Sequence, residues 1–167
     1  MKIYLATDHS GLELKNYLKA HLEEKNFDIE DCGAYEYDAD DDYPDLIKKA
    51  AAAVSEDPEN TMGIVIGGSA QGEAIVANKY SNIRCAVFYS KAVPVGSADI
   101  TGRTSDDPFE IIKLTREHNN SNMLSLSARF LTQEDALTAA EVFLNTPFPK
   151  EQRHERRINK ISQIENE

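Results

Sequence analysis

Five short apolar runs, each leading into a loop and then a helical pattern, constrain this chain more than any other feature. They are Lys2–Thr7, Phe27–Cys32, Met62–Ile66, Arg84–Tyr89 and Met123–Ser127. After the first run Leu14, Leu18 and Leu22 recur at helical spacing up to Lys25. Pro44 suits the first turn of a second helix reaching about Val54, a further helix ends near Arg116, and Thr132–Leu144 follows the last run. Strands alternating with helices in this way call for an α/β fold, a parallel sheet doubly wound by right-handed crossovers. Such sheets bind ligands beyond the carboxyl ends of their strands.

The third run is the one most suited to chemistry. Met62–Ile66 is β-branched enough to fill both faces of a buried parallel strand. Gly67-Gly68-Ser69-Ala70-Gln71-Gly72 then removes side chains where the backbone turns, and Glu73 opens a helical pattern through Ile75, Val76 and Lys79. Loop amides and a helix start thus converge on one spot that favours an oxyanion or phosphate, with a carboxylate beside it. The spacing is neither GxGxxG nor the GxxxxGK[ST] of a P-loop, so a nucleotide is not indicated.

At 167 residues one domain is expected, comprising residues 1–167, with an insertion at about 91–106 and a basic, then amphipathic, helical tail at about 150–165. The net charge of −11 argues against nucleic acid as a partner, because a polyanion would be repelled everywhere except at Arg153–Arg157. No apolar run approaches a membrane span, and Met1-Lys2 enters a strand without an export signal, so the cytoplasm is the expected location. Cys32 and Cys85 read as small core residues. Asp38, Asp40 and Asp42 match the first ligands of a calcium loop. The match fails at Tyr43, where glycine is required, and at Lys49, where glutamate is required. A solvated acidic loop is expected there, and no metal.

On a doubly wound sheet, Asp8 and His9 follow the first strand while Ser69 and Glu73 follow the third, all on one rim. His118 and Asn119 precede the fifth strand, and their expected place on the same rim does not follow from topology. The segments ATDHSG (6–11), DCGAYEYDADDDYPD (31–45), GIVIGGSAQGEAIVANK (63–79), REHNNSN (116–122) and QRHERRI (152–158) together resemble ribose-5-phosphate isomerase type B. The resemblance covers nearly the whole chain apart from roughly Lys91–Asp106.

That resemblance implies a Rossmann-like five-stranded sheet in an α-β-α sandwich, a homodimer or higher homo-oligomer, no cofactor, and interconversion of ribose 5-phosphate with ribulose 5-phosphate. One branch of the family uses a cysteine base at the position of Gly67. Glu73 matches the carboxylate that serves in the other branch. The resemblance assigns catalysis to Glu73, Ser69 and His118, the last in ring opening with Asn119. It assigns substrate contacts to Asp8, His9, Tyr43, Gly68, Ala70, Gln71, Gly72 and Arg129. Arg153 and Arg157 would grip the phosphate from the partner subunit. Ala70 stands where the family usually has glycine, which is expected to be tolerated only if its φ is negative.

The chemistry has its own logic. Moving a carbonyl between C1 and C2 needs a base for a weakly acidic C–H proton and stabilisation of an enediolate oxygen, which Glu73 and the loop amides supply. Competing readings are an isomerase of allose or galactose 6-phosphate, a non-catalytic sugar-phosphate sensor, and a flavodoxin-like nucleotide module that lacks its glycine fingerprint.

Overall fold

The computed structural model describes residues 1–165. Strands β1 (Lys2–Thr7), β2 (Asp28–Asp31), β3 (Thr61–Gly67), β4 (Cys85–Phe88) and β5 (Met123–Ser127) form one five-stranded sheet in the order β2-β1-β3-β5-β4. Every pairing is parallel. The helices are α1 (Leu12–Glu24), α2 (Tyr43–Glu56), α3 (Gln71–Ala77), α4 (Glu110–Asn119), α5 (Gln133–Asn145) and α6 (Gln152–Ile164). This is the doubly wound α-β-α sandwich expected, with strand boundaries shifted by a residue or so at the edges.

Strand β3 lies at the centre and is buried at every position. Its side chains alternate between two cores, as strand geometry requires. Ile64 and Ile66 point to the side where Leu14, Leu18 and Leu22 of α1, Ile112 of α4 and Phe143 of α5 pack. Val65 points to the other side, against Ile47, Ala50, Ala51 and Val54 of α2 and Ala77 of α3. Thr132 caps α5 by accepting from the Asp135 amide at 3.1 Å, and Pro44 fills the first turn of α2.

Two features sit outside this plan. The insertion leaves the end of β4 and returns along α4, where Arg103 pins it by ion pairs to Asp99 at 3.0 Å, Glu110 at 3.0 Å and Glu117 at 2.8 Å. The tail helix α6 packs against α4, and buried His154 stacks on His118 with ring centroids 4.3 Å apart. Its Ile161 and Ile164 remain exposed. No helix among the described residues is long and apolar enough to cross a membrane.

One buried ion pair holds the loop that delivers the acidic segment to the carboxyl rim. Lys15 on α1 is fully buried, and its Nζ donates to both oxygens of Asp31 at 2.7 and 2.8 Å and to the Ala34 carbonyl at 2.6 Å. Removing one member of such a pair strands the other charge away from water, at a cost of about 3–5 kcal/mol. Asp31→Ala is therefore expected to lower the unfolding free energy measured by urea titration by that order. Adding Lys15→Met to Asp31→Ala should recover much of the loss, so the two effects will be strongly non-additive.

Candidate active site

The carboxyl ends of β1 and β3 are joined before any loop begins. The Thr7 hydroxyl donates to the Ile66 carbonyl at 2.8 Å, and the register sets Thr7 beside Ile66 and Gly67 beside Ser127. Beyond them Asp8 is buried and caps the following turn through the Ser10 amide at 3.0 Å. The loop after β3 is then fixed from the neighbouring strand. Ser125 donates to the Ala70 carbonyl and Ser127 to the Gly68 carbonyl, both at 2.7 Å, while the Arg129 amide reaches the Gly68 carbonyl at 3.2 Å. With these carbonyls held down, the first-turn amides of α3 have no carbonyl of their own helix to bond.

Glu73 occupies the centre of this arrangement. Its residue is only 5% exposed, and Oε2 has no hydrogen-bond partner among the described residues. A Cβ added to Gly67 would lie 1.9 Å from Glu73 Oε1. The carboxylate therefore fills the space that a side chain at position 67 would need, and glycine there is obligatory while Glu73 points inward. Burial holds the Glu73 carboxyl above the usual glutamate range. Its own backbone N–H pulls the other way, and the charge of Asp8 adds to the rise.

Three further side chains close the rim. Arg129 lies along Gly68, since a Cβ there would meet its Cζ and Nε at 3.1 Å. Tyr43 lies over Gly72, where a Cβ would be 2.9 Å from its hydroxyl. His9 is held by Asp41, whose Oδ1 is 2.6 Å from Nδ1 and whose Oδ2 accepts the His9 amide at 2.9 Å. Asp8, His9 and Asp41 bring ligand-type atoms within 4.8 Å of one another, the one such group among the described residues. His9 Nδ1 and Asp41 are engaged with each other, and Asp8 Oδ1 with Ser10. We therefore read the group as a hydrogen-bond network, not as a metal centre.

The fold thus brings together Asp8, His9, Tyr43, Gly68, Ser69, Ala70, Gln71, Gly72, Glu73 and Arg129. It does not bring His118 and Asn119 to them. Both lie in the last turn of α4, which runs opposite to the strands and ends at the start of β5, so the expected placement on the Glu73 rim is corrected. The length of β5, roughly 13 Å, separates the two rims. Arg153 and Arg157 are with the second group, on α6 beside His118.

A second correction concerns Ala70. Its φ is +67°, in the left-handed region, contrary to the negative value expected for an alanine in place of glycine. The strain, about 1–2 kcal/mol, is opposed by full burial of the residue and by the Ser125 bond to its carbonyl. Sequence reasoning also missed Ser125 and Ser127, although two serines alternating in a strand that must be buried on both faces are the signal that something polar is being held. Asp41 was hidden by its neighbours in an acidic run. A cavity of about 670 Å³ lies under the insertion, among Phe88, Tyr89, Val93, Val95, Ile111 and Leu114, and shares no lining residue with the Glu73 cluster.

The sequence matches the profile of the Ribose/Galactose Isomerase family over residues 3–96 and 105–161. The chain belongs to that family. It is 40% identical over 165 residues to ribose-5-phosphate isomerase B of Mycolicibacterium paratuberculosis, covering 99% of this chain and 92% of that protein. Its structure superposes on ribose-5-phosphate isomerase B from Mycoplasma genitalium with bound ribulose-5-phosphate, with TM-score 0.85, 34% identity, and coverage of 99% and 97% of the two chains. For the enzyme from Clostridium thermocellum the TM-score is 0.82 at 31% identity, with 99% and 98% covered. Residues 97–104 stand outside the family match, inside the segment expected as an insertion and shorter than it.

The raised Glu73 carboxyl has a consequence for stability. Because the folded protein binds this proton more tightly than the unfolded chain does, stability falls as pH rises from the unfolded value of about 4.3 through the folded one. Above that window the penalty is constant, and below it absent. Glu73→Gln, which carries no charge, is expected to show a higher urea midpoint than the natural protein at pH 8. The two midpoints should converge below about pH 4.

Proposed function

We infer that the protein interconverts ribose 5-phosphate and ribulose 5-phosphate. The observation that carries this is the buried Glu73 carboxylate against Gly67, its Oε2 without a hydrogen-bond partner among the described residues, in a chain whose relatives named ribose-5-phosphate isomerase B match it over nearly their full length. In the open-chain aldose, Glu73 takes the C2 proton, leaving an enediolate. Returning that proton to C1, with the hydroxyl proton passing from O2 to O1, yields the ketose. A raised carboxyl suits a base that must accept and then release a proton. Ser69 and the amides from Gly68 to Gly72, Ala70 and Gln71 included, stabilise the enediolate oxygens. Asp8, His9, Tyr43 and Arg129 hold the sugar and its phosphate.

The remaining roles require a second copy of the chain. His118 and Asn119, for ring opening, and Arg153 and Arg157, for the phosphate, are too far from Glu73 to serve it within one chain. In a two-fold dimer the rim of one subunit carrying His118 can face the rim of the other carrying Glu73. Exposed Ile161 and Ile164 on α6 favour such a docked tail. The insertion, tied to the start of α5 by the Lys91–Asp135 ion pair at 2.9 Å, is then a wall beside the mouth of the site.

A coupled assay against five- and six-carbon aldose phosphates is expected to show turnover of ribose 5-phosphate, and absence of turnover would overturn the reading. Glu73→Gln should reduce exchange of the C2 proton with solvent by ~10²-fold or more in a protein that stays folded. Mixing this variant with Arg153→Ala/Arg157→Ala subunits should restore activity, since one site in each mixed dimer is intact. Mixed dimers that form and stay inactive would show that the arginines do not act across the interface. Replacing residues 97–104 with a short turn should change KM, and because it also takes Arg103 away from buried Glu110, the urea midpoint should fall.

A further inference from the structure

We propose that Asp41 is a positioning residue for the reaction, its two carboxylate oxygens fixing His9 by backbone and ring so that Nε2 faces the phosphosugar on a cationic imidazole. The inference rests on the isomerase reading for what His9 touches, and on geometry alone for what Asp41 does.

Asp41 comes from the acidic loop before α2, far from His9 in sequence, and only the fold joins them. One carboxylate oxygen accepts the His9 amide at 2.9 Å and the other lies 2.6 Å from Nδ1. A planar carboxylate engaged at both ends leaves the ring little freedom to rotate, and Nε2 is the ring atom left for a ligand. The edge of Tyr37 closes one side of the ring at 5.8 Å between centroids. The pair is partly shielded, with 26% of the His9 side chain and 13% of the Asp41 side chain exposed. Its neighbours Asp38, Asp40 and Asp42 are exposed, so one carboxylate of the run is committed to His9.

The charges around His9 favour the imidazolium. The Asp41 hydrogen bond raises its pKa most, partial burial opposes it, the charges of Asp8 and Asp41 add to the rise, and Arg129 lowers it. A cationic ring beside Arg129 is suited to a phosphate ester, which repays the mutual repulsion of the two cations once bound. A neutral ring would bind the same group more weakly. Asp41 thereby sets the pH range over which the phosphate is gripped without touching the substrate.

The test is Asp41→Asn in the full-length protein, which preserves shape and removes the charge. In the ligand-free protein, long-range ¹⁵N–¹H NMR of the imidazoles, assigned with His9→Gln, should show the His9 titration midpoint lower than in the natural protein. With ribose 5-phosphate, KM should rise about ten-fold while kcat changes less, and the alkaline limb of the 1/KM profile should move to lower pH. In the His9→Gln background Asp41→Asn should add little, and Asp41→Glu should recover part of the loss. An unchanged His9 titration, or full additivity with His9→Gln, would overturn the proposal. Failure of the natural protein to turn over ribose 5-phosphate would instead remove the isomerase reading, and the NMR titration would still decide whether Asp41 governs His9.

Discussion

The carboxylate of Glu73 and the missing side chain of Gly67 occupy one volume between them, and the rest of the site is arranged around that exclusion. With no Cβ at position 67, the carboxylate enters from the first turn of α3 and ends level with the carboxyl rim of the central strand. Burial makes its ionised form costly, which is a defect in a structural residue and an advantage in a base. The same logic accounts for the pairing of a glutamate at position 73 with a glycine at position 67. A thiol at position 67 and an inward glutamate at position 73 would need the same space.

What keeps that geometry is a set of polar contacts inside an apolar sheet. Ser125 and Ser127 are fully buried on β5 and spend their hydroxyls on carbonyls of the neighbouring loop. Ala70 accepts a left-handed backbone at the turn between them. The loop is therefore determined from outside itself, by β5, two strands later in sequence. This is why a glycine-rich stretch without a known nucleotide fingerprint still makes a defined surface.

The separation of the two residue groups has a topological cause. In a doubly wound sheet the helices run against the strands, so residues after a strand and residues at the end of a helix lie on opposite rims. Glu73, Asp8 and His9 belong to the first kind; His118 and Asn119 belong to the second. Within one chain the two kinds therefore lie a strand's length apart.

The sequence by itself determined the sheet, its parallel sense and most helix positions, because those depend on local periodicity and on a handedness rule that holds for any chain of this pattern. It also marked Glu73, Asp8, His9 and the glycine loop, since residues directly after strands have their rim decided by topology. Tertiary structure alone decided what lies across from what. The capture of His9 by Asp41, the serine supports under the loop and the sign of φ at Ala70 each depend on contacts between segments remote in sequence. The place of His118 depended on knowing where α4 stops, and the three residues by which the helix runs past Arg116 moved it from a loop to a helix end. Periodicity reports which face of an element is buried, and is silent about which partner waits there.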